Sequence, residues 1–236
     1  MGAVAESIPD EIQVRLANAG LLLTSEQAAQ LMSYFGLLTK WNKTINLTAL
    51  ALDPPTPQTL DRLLVEPLAA AVIARRVLDS LNAFSAGQTL RLLDVGSGGG
   101  SPAIPLAIGM GRPAQGSGFG VELSMVESRG RKAAFLREVV RDIPLEGARV
   151  YQTRLEELQP QAFDLVSIRA VRADGDLWEA LAEFVSPSGL VLWFRTAGDS
   201  GQDAWFAPML ELHSLHPLIA GTGSELAILR RPSAAG

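Results

Sequence analysis

The chain has 236 residues, of which 47% are hydrophobic and 19% charged, and it contains no cysteine. This composition is too apolar for an intrinsically disordered protein, and the missing thiols exclude a disulfide framework, thiolate metal sites and a cysteine nucleophile. Twenty Lys and Arg against 25 Asp and Glu give a net charge of −5, which argues against a protein that coats nucleic acid by bulk charge.

The first third of the chain is predicted to be helical. Thr24 can cap a helix whose apolar residues recur at helical spacing through Leu38. Three prolines within residues 54–57 interrupt this pattern, because proline cannot continue a helix. A further apolar helix is predicted from Leu60 to Leu81.

The sequence shows neither a secretory signal nor a membrane-spanning segment. The first ten residues carry Glu6 and Asp10 and lack the apolar core of a signal peptide. The most apolar stretch, residues 63–73, contains Glu66 and Pro67 and is too short to cross a bilayer. We therefore expect a cytoplasmic protein that does not associate with a membrane.

From residue 90 onward, short β-prone runs alternate with helical stretches. The runs are residues 90–95, 118–126, 149–153, 163–168, 190–194, 212–218 and 226–229. Strands that alternate with helices predict a mostly parallel sheet covered on both faces, whereas the last two runs are close enough to form an antiparallel hairpin at the sheet edge. We expect an α/β domain over residues 86–236 and a helical part over residues 1–85.

A glycine-rich loop follows the first of these runs. Asp94 is the last residue but one of this run, and after Val95 the chain continues as Gly96-Ser97-Gly98-Gly99-Gly100-Ser101-Pro102. Glycines let the backbone turn sharply and approach a ligand at the carboxyl end of a strand. The spacing differs from G-x-G-x-x-G and lacks the lysine of a phosphate loop, which disfavours a nicotinamide dinucleotide or a nucleotide phosphate. The carboxylate of Asp94 instead suits a ligand with ammonium or hydroxyl donors, and S-adenosylmethionine has both.

A second acidic residue should end the next strand and bind ribose hydroxyls. Glu122 and Glu127 are both candidates. Glu127 is favoured because it directly precedes Ser128 and the basic stretch that opens the next helix. The glycines, the acid before them and this second acid together predict a cofactor site.

Six segments, in order within residues 37–172, match the motifs of one known family. They are Trp41-Asn42 with Asn46-Leu47-Thr48, Leu78-Asp79-Ser80-Leu81, Asp94 to Pro102 with Ile104-Pro105-Leu106, Glu127-Ser128 with Gly130-Arg131-Lys132, Arg154-Leu155-Glu156-Glu157, and Phe163-Asp164 with Arg169-Ala170. The chain resembles the bacterial small-subunit rRNA guanine-N7 methyltransferase G family, also called glucose-inhibited division protein B. This family comprises class I S-adenosylmethionine-dependent methyltransferases that act on a guanine of the 530 loop of 16S rRNA.

The resemblance implies a Rossmann-like fold with a mostly parallel seven-stranded sheet and an N-terminal helical subdomain. It also implies a site for S-adenosylmethionine, in which Glu127 binds the ribose and Leu155 and Glu156 flank the adenine. The cofactor-binding residues that it implies are Asp94, Gly96, Ser97, Gly98, Gly100, Pro102, Glu127, Ser128, Leu155, Glu156 and Arg169.

The resemblance further implies three arginines at the catalytic crevice: Arg154, Arg169 and Arg195. Arg195 stands where the family has a lysine. The expected partner is 16S rRNA or the 30S subunit, and the expected enzyme is a monomer without a metal ion.

The sequence departs from the family mainly at positions expected to face the substrate. Arg75-Arg76 stands where the family has Arg-His before Leu-Asp-Ser, and Ser224 or Glu225 replaces a late arginine. These departures leave two further hypotheses. One is a diverged methyltransferase for another RNA or a small molecule, and the other is a non-catalytic RNA- or ribosome-binding module that retains the cofactor fold.

Methylation at guanine N7 is compatible with the residues present. N7 carries an in-plane lone pair and no proton, so the reaction needs neither a general base nor a covalent intermediate, and positioning supplies most of the acceleration. Pyrimidine C5 methylation uses a cysteine nucleophile, which the chain lacks. Exocyclic amine methylation typically uses a polar residue, two prolines and an aromatic residue after the fourth strand, where this chain has Arg169-Ala170-Val171-Arg172.

Positive charge is concentrated between residues 129 and 154. The cations there are Arg129, Arg131, Lys132, Arg137, Arg141, Arg149 and Arg154, against three acids. Seventeen of the 20 cations in the chain are arginine, which suits bidentate phosphate contacts and stacking on bases. The cluster predicts an RNA-facing surface, with an ordinary solvated helix face as the alternative. His213 and His216 have no carboxylates at ligand spacing, so no metal site is predicted there.

Overall fold

The computed structural model describes residues 9–81, 88–111, 120–169, 175–198, 206 and 209–232. The helices are, in chain order, α1 (Asp10–Asn18), α2 (Ser25–Asn42), α3 (Pro57–Leu60), α4 (Glu66–Ser80), α5 (Ala103–Met110), α6 (Gly130–Asp142) and α7 (Gly175–Phe184). The strands are β1 (Thr89–Val95), β2 (Gly120–Val126), β3 (Arg149–Tyr151), β4 (Phe163–Arg169), β5 (Val185–Thr196), β6 (Glu211–Pro217) and β7 (Ser224–Arg230). A π turn (Asp61–Val65) joins α3 to α4, and a 3-10 turn (Leu155–Glu157) follows β3.

The second helix begins at the residue that the sequence predicts as its cap. The Thr24 hydroxyl accepts a hydrogen bond from the Gln27 N–H at 3.2 Å, and the Gln27 side chain accepts one from the Thr24 N–H at 3.1 Å. The helix predicted from Leu60 to Leu81 is interrupted, because the π turn separates α3 from α4. Within the described ranges, no helix is long and apolar enough to cross a membrane.

The seven strands form one sheet in the order β3-β2-β1-β4-β5-β7-β6. Strands β1 to β5 are parallel to one another, and β7 runs antiparallel to both β5 and β6. This order confirms the α/β class with a mostly parallel seven-stranded sheet. The last two strands form the predicted antiparallel pair, with β6 at the edge and β7 between it and β5. Residues 118 and 119 of the second predicted strand lie outside the described residues.

Alternating side chains along the strands bury both faces of the sheet. One face, which carries Leu92 and Leu123, shares a core with α1, α2, α4, α5 and α6. The opposite face, which carries Leu93 and Val166, packs against α7. The described helices of the N-terminal part therefore pack on one face of the sheet. The predicted domain division between residues 85 and 86 falls outside the described residues.

The strand order creates a crevice at the carboxyl ends of β1 and β4. These two strands are neighbours, with Asp94 opposite Ser167 and Val95 opposite Ile168. The chain crosses from β1 to β2 on one side and from β4 to β5 on the other. Ligands of open α/β sheets bind at such a switch point, so the loop after Asp94 is where a ligand site is expected.

Candidate functional site

The glycine loop is fastened to the neighbouring strand. Gly96 and Ser97 donate backbone hydrogen bonds to the carbonyl of Val126, at 2.9 and 3.1 Å. Gly100 has a φ of 83°, and a β-carbon there would lie 2.5 Å from Cδ1 of Ile104. A larger residue at position 100 would therefore strain the backbone and displace a core side chain.

Helix α2 supports the same loop from the other side. The buried Tyr34 donates a hydrogen bond from its hydroxyl to the carbonyl of Gly99 at 2.7 Å. A β-carbon on Gly99 would approach Leu38 at 3.3 Å and the carbonyl of Leu47 at 3.4 Å. The loop thus fits closely against the helical part. Sequence reasoning missed Tyr34, whose one signal is a tyrosine on the apolar face of a helix.

The turn after α2 forms one wall of the crevice. The Asn42 side-chain oxygen accepts hydrogen bonds from the N–H groups of Leu47 and Thr48, at 2.9 and 3.0 Å. Leu47 and Thr48 line the crevice. Trp41 packs against Phe135 of α6, with ring centroids 5.9 Å apart. Asn42 therefore folds the turn that forms the wall, and Trp41 packs it onto α6.

Asp94 is a buried carboxylate whose two oxygens have different surroundings. Its Oδ1 accepts a 2.5 Å hydrogen bond from the Ser167 hydroxyl. Its Oδ2 is buried and has no hydrogen-bond partner among the described residues. Burial raises the pKa of Asp94 to about 6, although the hydrogen bond from Ser167 acts in the opposite direction. A buried acceptor of this kind is suited to a donor supplied by a ligand.

Glu127 joins the glycine loop to the start of α6. Its Oε2 accepts a 2.9 Å hydrogen bond from the Gly98 N–H, and its Oε1 accepts a 2.7 Å bond from the Arg129 N–H. The residue is buried. Glu122 is exposed and lies nearer the amino end of β2, across from Gly147. Of the two candidate acids, the structure places Glu127 beside the loop.

Arg169 ends β4 and ties the sheet to the helical part. Its Nη2 lies 3.0 Å from Oε2 of Glu66, and its Nη1 donates a 2.5 Å hydrogen bond to the carbonyl of Arg62. The guanidinium stacks 4.4 Å from the ring centroid of Phe194. Burial lowers the pKa of Arg169 to about 10, against the charge of Glu66, so the group stays cationic at neutral pH.

The π turn provides the carbonyl groups that this network uses. Pro67 has no N–H, so the carbonyl of Leu63 lacks the donor found four residues later in an α-helix. The Ser101 hydroxyl donates to it instead, at 2.9 Å. The N–H of Glu66 donates to the carbonyl of Asp61, five residues earlier, which leaves the next carbonyl for Arg169. Such π turns are frequent at functional sites.

Together these elements enclose a crevice of about 270 Å³. Both the helical part and the sheet contribute to its walls. The lining residues are Leu38, Leu47, Thr48, Leu50, Arg62, Leu63, Gly96, Ser97, Gly98, Gly99, Ser101, Lys132 and Arg169.

Comparison with known proteins identifies the family. A family model described as rRNA small subunit methyltransferase G matches residues 27–206. The chain belongs to this family. It is 34% identical to a protein of that name from Pseudomonas entomophila, over 89% of this chain and 81% of the relative, and 31% identical to one from Xanthomonas campestris, over 90% of both. The structure of mitomycin 7-O-methyltransferase is similar in fold, with a TM-score of 0.54 at 16% identity over 94% of this chain and 67% of that chain.

Membership in the rRNA small subunit methyltransferase G family confirms the resemblance drawn from the motifs. Asp79 and Ser80 are exposed at the end of α4, and neither lines the crevice. Arg62 and Glu66 contact Arg169 instead.

The remaining predicted catalytic arginines, Arg154 and Arg195, have other surroundings than Arg169. Arg195 is buried, with its guanidinium 4.7 Å from the ring centroid of Trp193 and its Nε 3.3 Å from Glu225. Arg154 is exposed just before the 3-10 turn. Among the described residues that line the crevice, Arg169 is present and Arg154 and Arg195 are not.

The other predicted cofactor residues surround the glycine loop or follow β2 and β3. Pro102 is buried directly before α5, and Ser128 is exposed directly after Glu127. Leu155 is buried in the core under the sheet, whereas Glu156 is exposed beside it. Their roles toward a cofactor stay predictions.

The basic cluster predicted to face RNA is largely accessible. Every member is exposed except the half-buried Lys132, which lines the crevice. Arg137 donates to the Gln152 side chain at 3.3 Å, and Arg141 pairs with Asp142 at 3.0 Å. Arg172 lies outside the described residues.

His213 and His216 both lie on the edge strand β6. His216 Nε2 is 2.9 Å from the Ser214 hydroxyl. Across the described ranges, no three His, Cys, Asp or Glu side chains come together as metal ligands.

Proposed function

We propose that this chain transfers a methyl group from S-adenosylmethionine to N7 of a guanine in the 530 loop of 16S rRNA. Family membership supports an rRNA methyltransferase. The observation that carries the cofactor assignment is the pair of buried carboxylates, Asp94 and Glu127, on either side of the glycine loop. We place the reaction in the cytoplasm, on rRNA of the small subunit, by a monomer that uses no metal ion.

The residues present fit S-adenosylmethionine. The unpartnered Oδ2 of Asp94 is suited to the ammonium group of the methionine moiety. Glu127 retains acceptor capacity on both oxygens for ribose hydroxyls, because each carboxylate oxygen accepts one backbone hydrogen bond and has a second lone pair. Leu155 and Glu156 are the proposed neighbours of the adenine, and the glycines let the backbone approach closely.

The cofactor supplies an electrophilic methyl group on a sulfonium, and the chain needs to supply only placement. Guanine N7 attacks with its own lone pair and loses no proton, so no side chain must act as a base. Arg169 is cationic and held by Glu66, and therefore cannot accept a proton at neutral pH. Its proposed role is to shape the crevice and orient the RNA.

The RNA is proposed to enter across the helical part and α6. The π turn, the turn after α2 and Lys132 line the crevice mouth together. The exposed arginines of the basic cluster continue from α6, and they can pair with phosphates in two-donor geometry. A local surplus of positive charge makes RNA binding compatible with a net charge of −5.

The test is methyl transfer to 30S subunits that lack the 530-loop modification. The product is mapped by strand cleavage specific for N7-methylguanine. Wild-type protein should produce cleavage at one guanine of the loop, Asp94→Asn should lose it, and Glu122→Gln, at the far end of β2, should retain it. Transfer to another nucleotide would instead favour a diverged target. Binding of S-adenosylmethionine without transfer to any ribosomal substrate would favour the non-catalytic module.

A further inference from the structure

A buried cation lines the cavity proposed to hold a cationic ligand. The Arg169 side chain is 6% exposed, and it lines the same crevice as Gly96 and Gly98. S-adenosylmethionine carries an ammonium, a carboxylate and a sulfonium, so it has one net positive charge. The demethylated product, S-adenosylhomocysteine, is neutral overall. An uncompensated cation in this cavity would therefore repel the methyl donor more than the product.

Glu66 supplies the compensating charge. Its Oε2 lies 3.0 Å from Nη2 of Arg169 and 3.6 Å from Nη1 of Arg62, and its side chain is 5% exposed. Buried charges at this separation interact strongly, because little solvent screens them. Asp94 also stabilises the Arg169 cation, but by less than Glu66 does, and its Oδ1 is bonded to Ser167 rather than to Arg169.

We infer that Glu66 is a positioning and specificity residue: by neutralising Arg169, it allows the crevice to accept the sulfonium form and sets the preference for the methyl donor over the demethylated product. This inference rests on the proposed function. Glu66 acts through Arg169 and need not touch the ligand. Because Glu66 is the first residue of α4, the residue that sets this preference belongs to the helical part and not to the sheet.

A purely structural role makes a different prediction. Glu66 and Arg169 are 103 positions apart in the sequence, so the bond between them also holds α4 against the sheet. Loss of that contact alone would weaken both ligands equally. Loss of the negative charge would lower the affinity for S-adenosylmethionine more than the affinity for S-adenosylhomocysteine. The ratio of the two dissociation constants, measured within one variant, separates these effects and is independent of the fraction of folded protein.

The experiment is isothermal titration calorimetry of S-adenosylmethionine and S-adenosylhomocysteine against full-length protein at neutral pH. Glu66→Gln preserves shape and removes the charge, and we expect the ratio to move about threefold to tenfold toward the product. Glu66→Asp keeps the charge and should stay within about twofold of wild type. Asp61→Asn is the matched control: it removes the carboxylate of Asp61, which lies five residues before Glu66 and pairs with Arg15 at 2.7 Å, and the ratio should not change.

A second pair of variants tests the cause. Arg169→Met alone leaves Glu66 unpaired and should move the ratio toward S-adenosylmethionine. The double variant Glu66→Gln/Arg169→Met lacks both charges and should return the ratio toward wild type. An unchanged ratio in Glu66→Gln, or no opposite shift in Arg169→Met, would overturn the inference and leave the proposed function intact. Failure of wild-type protein to bind either ligand would overturn both.

Discussion

The Tyr34 hydroxyl donates a 2.7 Å hydrogen bond to the carbonyl oxygen of Gly99. The bond connects α2 directly to the loop that carries the proposed cofactor site. Burial raises the pKa of Tyr34 above its usual range, so the hydroxyl keeps its proton and remains a donor. The helical part therefore holds the loop in shape as well as walling the crevice.

Removing this hydroxyl should loosen the loop. Tyr34→Phe leaves the Gly99 carbonyl without its side-chain donor, and we expect the free energy of unfolding in urea to fall by about 1–3 kcal/mol and affinity for S-adenosylmethionine to fall with it. Ser80→Ala is the control, because it removes a hydroxyl that donates to Val77 at the exposed end of α4. Its effect should stay below about 0.5 kcal/mol, with unchanged affinity. Equal losses in both variants would contradict a specific role for Tyr34.

Two glycine-to-alanine substitutions should have opposite effects on stability. Gly36 is exposed in the middle of α2, and a β-carbon there meets nothing within 4 Å. Gly36→Ala should raise the free energy of unfolding by about 0.5–1 kcal/mol, because alanine favours the helix. Gly100→Ala should lower it by about 1–3 kcal/mol, because φ is positive and Ile104 must move. Thermal unfolding followed by circular dichroism checks both, and effects of the same sign would contradict this account.

Substitutions of Glu122, in β2, and of Glu127, directly after β2, should differ sharply in their effect on cofactor affinity. Glu127→Gln replaces one of the two oxygens that accept from Gly98 and Arg129 with an amide donor, and we expect affinity for S-adenosylmethionine to fall about tenfold to a hundredfold. Glu122→Gln changes an exposed side chain on the same strand and should leave affinity within about twofold. Calorimetric titration measures both. A larger loss of affinity in Glu122→Gln than in Glu127→Gln would show that Glu127 is not the acid that binds the ribose.

Cofactor affinity should depend on pH through Asp94. The ammonium partner requires the carboxylate, and the pKa of Asp94 in the free protein is about 6. Affinity should therefore fall about tenfold from pH 7 to pH 5. Asp94→Asn should bind weakly at both values with no such slope. A flat wild-type profile would show that Asp94 is not the titrating partner.

The same carboxyl should affect stability in the opposite direction. Its pKa is raised above the ordinary value of 3.8, so the folded protein binds this proton more tightly than the unfolded chain. That contribution is present below the ordinary value and is lost as pH rises through about 6. As the pH rises between these values, the free energy of unfolding of the ligand-free wild type should fall relative to that of Asp94→Asn. Urea unfolding measures both, and an equal pH dependence of the two proteins would contradict the raised pKa.

Local sequence patterns predicted the sheet and the position of Asp94 and Glu127 at one end of it. Apolar runs separated by helical stretches predict β1 to β5 correctly, because burial on both faces leaves a clear signal in each strand. Asp94 and Glu127 could be predicted to lie near each other because each is within one residue of the carboxyl end of a parallel strand, and these ends meet at the same edge of the sheet. The late hairpin followed from the short distance between its two runs.

Contacts between distant segments were not predictable in the same way. The sequence near Glu66 does not indicate its contact with Arg169, because only the packing of α4 against the sheet brings the two residues together. Pro67 inside an apolar helix is a usable signal for the π turn, because a proline there must free a carbonyl. The burial of Arg195 against Trp193 likewise depends on β7 lying beside β5 and carrying Glu225.

The exposed arginines of α6 should contribute to RNA binding by charge. Arg131 is exposed in the first turn of α6, two residues after Arg129, whose N–H binds Glu127. If it contacts one phosphate, Arg131→Gln should reduce the slope of log affinity against log salt concentration by about 0.7–0.9 and weaken binding of a 16S rRNA transcript. Arg76→Gln, which removes an exposed arginine from α4, is the control and should leave the slope unchanged. Filter binding at several salt concentrations measures the slopes. Identical slopes for wild type and Arg131→Gln would favour the solvated helix face, whereas unchanged S-adenosylmethionine affinity would confirm that the variant acts on RNA alone.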